Sequence, residues 1–458
     1  MDLVFKEGLE GNDFNSTLSS VESAVTDLER RSQAIGHLED NLESWADLLL
    51  DLDQVEPLLS NCWVYAHCLS CADTQNREAA RKEAWIADLW SRFVCARVPI
   101  EDGLCNSTDS VFQSLLNQPK LNDIRAGLEN IRRSKHLLLP ADQQALSESL
   151  SKDGINAWGQ LYSRQSGRLV IEIDDEKLST SQVFNRFSGD PNPKERQRFF
   201  SAYEDAWKED RDLWASLMTH ITGTRQTLNS KRNLGPLDDV LTGARMTRES
   251  LDAMHEAIAM FRVELLPYFE GKAQLLGLEK LGWQDLRAPI GDGGLAHTWE
   301  DSVDFVLTHF KSAQEPLFLL AKQAFEEGWI EAEDRPHKRA GGWCAGVPKA
   351  RQSRIFMTHG GSFGSTVTLA HELGHAYHNS VLWDQSASVR RVPMTLAETA
   401  SVFAENVVRD AALECAQRPE ERLSMLDARL RSAVSFLMDI PTRFSFELAL
   451  YDLREKGE

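Results

Sequence analysis

The first part of this chain leaves little room for anything but amphipathic helix. The run "STLSSVESAVTDLERRSQAIGHLEDNLESWADLLLDLDQVEPLLSNCWVYAHCLS", from Ser16 to Ser70, sets apolar residues three and four apart and is interrupted only by Gly36 and Pro57. That period suits a helix with one buried stripe, and it cannot alternate faces as a strand must. "LLLPADQQALSESLSKDGINAWGQLYSRQ" continues the pattern after Pro140, and "GRLVIEID", Gly167–Asp174, is the first plausible strand. "SGDPNPKERQR", Ser188–Arg198, is the clearest punctuation, so the expected division is a helical domain over 1–190 and a second domain over 191–458. Helices then run to about Lys280 with a break at "NLGPLDD". From Arg339 to Gly364 the texture changes to "RAGGWCAGVPKARQSRIFMTHGGSFG", rich in glycine, with a short β-like segment at Ser353–Thr358. The helical pattern resumes at Ser365. The fold class is therefore mainly α, with one small sheet element upstream of a histidine cluster.

Bulk properties exclude several functions. Fifty basic against seventy acidic side chains give a formal charge of −20, which repels phosphate backbones and anionic lipid. Nucleic acid and membrane surface are thus not expected as partners. The start "MDLVFKEGLEGNDF" shows no secretory signal, and no apolar run approaches the ~18 residues of a membrane span. The seven scattered cysteines fit a reducing compartment, and the expected location is cytoplasmic. Cys68 and Cys71 form a C-x-x-C with Cys62 and His67 nearby. A zinc knuckle needs a second such pair, so these read as small side chains on a buried helix.

The chemistry concentrates in "TLAHELGHAYHNS", Thr368–Ser380. His371 and His375 lie one helical turn apart and only about 40° apart around the axis, so both imidazoles can reach one zinc ion. Glu372 is then placed to accept a proton from a water held there. "HEAIA" at His255 begins the same way but lacks the second histidine, and reads as a solvated helix face. A metzincin would need a third histidine where Val381 stands, so that class is excluded. In "PMTLAETASVFAENVV" a glutamate is available at Glu398, and Glu405 lies on nearly the same helical face. Glu398 is either the third ligand or the partner of Thr395 in a capping box. Glu405 reads as an acceptor for the N–H of a ligand histidine. His378 reads as a packing histidine.

"TLAHELGHAYH" followed by "LAETASVFAE" resembles the thimet oligopeptidase group of zinc peptidases, and its oligoendopeptidase F branch in particular. The likeness extends through "KRAGGWCAG", "GWQDLRAPIG" and "YFEGKAQLLGLEKL", and more faintly through "INAWGQLYSR". The resemblance implies one zinc per chain held by His371, His375 and Glu398, with Glu372 as general base. It implies a zinc-dependent endopeptidase for short peptides, whose helical N-terminal half closes over a deep channel. It also gives "SRIFMTHGG" the role of a strand that pairs with extended substrate. That family further supplies a histidine and tyrosines late in the chain to stabilise the oxyanion. After "FSFELALYDLREKGE" no such segment follows, and the expectation is a C-terminally truncated peptidase, able to associate with the missing fragment. The alternative is a zinc- and peptide-binding remnant with little turnover. "LRSAVSFLMDI", Leu430–Ile440, reads as core without a partner following it, so its apolar surface is expected to be exposed.

Overall fold

The computed structural model describes residues 4–151, 153–290, 296–335, 337–339 and 341–457, and these are mostly helical. They form two compact units, each built from two stretches of chain: Met1–Ser149 with Ala296–Val408, and Leu150–Leu295 with Arg409–Glu458.

The first unit begins with three long helices, α1 (Asn12–Ala34), α2 (Leu42–Ala72) and α3 (Arg77–Asn106), which pack on one another. Their starts follow from local chemistry. The Asn41 side chain accepts from Ser44 N–H and the Asn76 side chain from Ala79 N–H, each satisfying a donor that the first helical turn leaves open. α1 buries Phe14, Leu18, Val21, Val25 and Leu28, the stripe foreseen from the spacing. These meet Trp45, Leu48, Leu59 and Tyr65 of α2 and Ile86, Leu89 and Phe93 of α3 in one apolar core.

A second core in the same unit holds the chemistry. Helix Trp299–Ala313 and helix Glu315–Glu326 pack against Phe363–Leu382, called here the histidine helix. Beside it lies a three-stranded sheet in the order β3 (Ile330–Glu331), β5 (Gln352–Phe356), β4 (Trp343–Val347). β3 pairs parallel and β4 antiparallel with β5. The single β segment foreseen at Ser353–Thr358 is thus the middle strand of a sheet. Its partners escape a reading of pattern because β3 spans two residues and β4, "WCAGV", carries a glycine and no alternation.

The second unit contains a hairpin, β1 (Val170–Ile173) with β2 (Glu176–Ser179), turned at Asp174 and Asp175 with φ of 53° and 64°. Ser188–Arg198 lies inside this unit, where Asn192 caps helix Pro193–Glu209. Helix Arg211–Arg232 stops at Asn233 in left-handed conformation, the break foreseen at "NLGPLDD". Two buried ion pairs join distant sequence here: Arg196 with Asp285, and Lys272 with Asp427, each at 2.8 Å. Leu430, Phe436 and Ile440 keep 37%, 53% and 45% of their surface exposed, the exposed apolar surface expected of this stretch, while the residues between them are half-buried. His255 is half-buried and stacks on Phe444 at 4.7 Å, which replaces the solvated face expected for it. Among the described residues no helix is long and apolar enough to cross a membrane.

Candidate metal centre

The histidine helix presents His371 and His375 on one side, with ring centroids 4.9 Å apart and nearly perpendicular. Opposite them runs helix Thr399–Cys415, preceded by the short turn Met394–Ala397. The two helices approach to backbone contact because residue 374 has no side chain. A Cβ built there would lie 2.6 Å from both Ala400 O and Ser401 Cα, well inside van der Waals distance.

That close approach delivers Glu398 to the histidines. Its Oε2 lies 3.2 Å from His371 Nε2 and 3.2 Å from His375 Nε2. Ser401, fully buried, donates its hydroxyl to the same oxygen at 2.7 Å. The first turn at Pro393 carries no side-chain cap, and Glu398 stands at the end of that turn. Glu405 Oε2 sits 3.3 Å from His371 Nδ1, the far side of that ring. Its hydrogen bond is the largest influence raising the His371 pKa, against burial. Burial lowers that of His375. His378 is half-buried and lies outside the cluster.

Glu372 points differently. It is 6% exposed, and its Oε2 is buried with no hydrogen-bond partner. Burial pushes its carboxyl up to about 7; His371 opposes the shift and the Glu398 charge adds to it. Gly342, at the entry to β4, lies against it: a Cβ there would stand 3.3 Å from Glu372 Oε1. Sequence reasoning missed Gly342, Gly374 and Ser401. Gly374 sits inside the motif, and Ser401 is three residues beyond Glu398, so both left a positional signal.

The donor set fits a zinc ion. Tetrahedral zinc with bonds of ~2.0–2.1 Å separates its ligands by about 3.3 Å, close to the 3.2 Å found between Glu398 and each histidine. Two imidazole nitrogens and one carboxylate oxygen lie within 4.8 Å of one another, the only such group of three among the described residues. An N,N,O set of three donors, which leaves one position of a tetrahedral ion for water, is characteristic of zinc used for hydrolysis rather than for structure.

Comparison with known proteins agrees with this chemistry. Residues 312–458 match Peptidase family M3, and residues 104–170 match Oligopeptidase F. Oligopeptidase PepF of Bacillus subtilis (strain 168) is 22% identical over 457 residues, taking in 97% of this chain and 67% of that protein. An oligoendopeptidase F homolog of Lactococcus lactis subsp. lactis (strain IL1403) is 21% identical over 451 residues, 92% of this chain and 72% of its own. The crystal structure of oligoendopeptidase-F from Enterococcus faecium superposes with a TM-score of 0.67 at 18% identity, covering 97% of this chain and 76% of that one.

Proposed function

We propose, for a chain that belongs to peptidase family M3 in its oligoendopeptidase F group, that it is a zinc-dependent endopeptidase hydrolysing internal bonds of short oligopeptides. His371, His375 and Glu398 would hold one zinc, and Glu372 would be the general base. The observation that carries the reading is the convergence of three open donors beside a buried carboxylate with a free oxygen.

Held by His371, His375 and Glu398, a zinc ion would supply Lewis acidity and lower the pKa of water to ~7. Glu372 takes the proton of the attacking water through its unpartnered oxygen and returns it to the leaving amine. Glu405 holds His371 by Nδ1, which orients the ring and leaves Nε2 for the metal. Ser401 fixes the carboxylate oxygen of Glu398 in the same way.

The strand role changes hands. β5 is bonded on both sides, its Ile355 N–H donating to Trp329 O on one flank and β4 pairing on the other. It has no edge to offer an extended peptide, contrary to the expectation for "SRIFMTHGG". β3 and β4 are the two edge strands, and β4 leads away from Gly342 beside Glu372. Backbone pairing along β4 would place a peptide bond near Glu372 with little dependence on side-chain identity.

The test combines metal analysis with cleavage of an internally quenched peptide blocked at both ends. One zinc per chain, cleavage abolished by a chelator and restored by zinc, is the expected result. Stoichiometric zinc without cleavage would support a binding role instead. Cleavage that persists in a metal-free preparation would overturn the mechanism.

A further inference from the structure

The C-x-x-C of α2 does more than fill space. In its last turn, Cys71 Sγ lies 3.5 Å from His67 Nε2, one helical turn earlier. The other ring nitrogen of His67, Nδ1, is 2.8 Å from Glu83 Oε1 on α3. The second oxygen of Glu83 accepts from Ser70 Oγ at 2.7 Å. His67 is clamped between rings, stacked on Trp63 at 4.5 Å and tilted against Trp343 at 5.2 Å. A second cation approaches the sulfur: Arg339 NH1 is 3.7 Å from Sγ, while the Arg339 backbone N–H donates to Cys71 O at 2.9 Å. The result is a chain Glu83–His67–Cys71 with a guanidinium on the far side.

Three buried thiols on one helix supply an internal control. Burial pushes Cys62 and Cys68 each up to about 12, and the charge of Arg354 only partly offsets it at Cys68. Burial acts on Cys71 too, but the hydrogen bond and charge of His67, then Arg339, outweigh it and hold the thiol below its ordinary range. His67 is correspondingly raised to about 9, by Cys71 first and Glu83 next.

Two more familiar uses of these residue types fail on the geometry. A metal site fails because no third donor joins His67 and Cys71; the one three-donor group among the described residues is His371, His375 and Glu398. A catalytic nucleophile fails because Cys71 has no exposed surface for a peptide or ester to reach. What remains is a reagent small enough to reach a buried thiol close to a helix end. Cys71 is the next-to-last residue of α2, followed by exposed Asp73, Thr74 and Gln75.

We propose that Cys71 is a site of reversible oxidation by hydrogen peroxide, with His67 and Arg339 facing the sulfur and Glu83 holding His67. The thiolate attacks one peroxide oxygen, an S–O bond forms and the O–O bond breaks. The departing hydroxide takes the Nε2 proton of His67 and leaves as water. Sulfur is oxidised by two electrons to the sulfenic acid, and peroxide is reduced. Two equivalents of a small thiol reverse the step, leaving the cysteine, one disulfide of the reagent and water.

The experiment treats the whole zinc-loaded chain with dilute hydrogen peroxide at neutral pH. Samples are quenched with catalase, denatured and alkylated, and the remaining thiol at each cysteine is quantified by mass spectrometry. Cys71 should be lost at least ~10-fold faster than Cys62 and Cys68, and faster than the exposed Cys415, with recovery in dithiothreitol. His67→Gln and Arg339→Gln should each slow that loss by about fivefold or more while leaving Cys415 unchanged. Glu83→Gln serves the same purpose if His67→Gln fails to fold. Oxidation of Cys71 no faster than of Cys68, rates indifferent to His67 and Arg339, or loss that dithiothreitol does not reverse would each overturn the proposal. None of these readouts depends on peptide cleavage.

Discussion

Two helices of this molecule each place a histidine one turn from a second donor, and the outcomes diverge. On α2, His67 and Cys71 consume one another: each ring nitrogen has a partner, both oxygens of Glu83 are used, and Arg339 closes the far side. On the histidine helix, His371 and His375 turn their Nε2 atoms to a common carboxylate, and Glu372 next to them keeps a buried oxygen without a partner. The first arrangement is electrostatically closed and tunes a single atom. The second is open, and its free valences converge on one point. Residue types and helical spacing are nearly the same in both. What differs is the element packed opposite: a helix whose carboxylate caps the histidine, or a turn whose carboxylate faces both histidines through the close approach that Gly374 permits.

The largest expected effect breaks the open site at its base. Glu372→Gln should retain zinc and lower the cleavage rate by ~10²–10⁴-fold, because an amide cannot accept the proton. Near wild-type turnover in a zinc-loaded variant would assign the base elsewhere.

Next come the two carboxylates of the facing helix, which the comparison treats as ligand and orienter. Glu398→Ala should weaken zinc binding by more than ~10²-fold, and Glu405→Gln by ~10–100-fold, measured by competition with a chromogenic chelator. Equal effects would erase the distinction. Full zinc content in Glu398→Ala, with only ~1 kcal/mol of stability lost, would return that residue to a capping role.

Gly374→Ala tests the packing that opens the site. The added methyl group meets Ala400 O and Ser401 Cα at 2.6 Å, so the helices must separate. A stability loss of about 1–3 kcal/mol by chemical denaturation is expected, with weakened zinc binding alongside it. Zinc affinity unchanged in a folded variant would show that Glu398 does not depend on this approach.

The smallest effect sharpens the contrast from the closed side. Glu83→Gln should leave zinc content and cleavage rate within about twofold, since it touches no donor of the open site. A loss of metal there would mean that the two constellations are coupled.

Much of this was legible in advance. Helical period carried the α1–α3 core, H-E-x-x-H carried the first two donors, and Glu398 and Glu405 were visible as carboxylates on one face. The β element before the histidine helix was placed within two residues of β5. Its sheet was not, since β3 and β4 are too short and too glycine-rich to show a strand pattern. Nor did C-x-x-C reveal Cys71 as different from Cys68: His67 stood four residues earlier in plain view, but Arg339, which also faces the sulfur, and Glu83, which holds His67, come from elsewhere in the chain.

The sequence by itself determined the class of fold and the pairing of His371 with His375, because both rest on local spacing: a repeat near 3.6 fixes which face a helix buries, and a four-residue interval fixes which side chains share a turn. Tertiary structure alone decided which donors stay free. Whether a histidine ends closed by Glu83 or open toward Glu398 depends on which carboxylate the facing segment brings, and at the open site that approach is set by packing at Gly374 against Ala400 and Ser401.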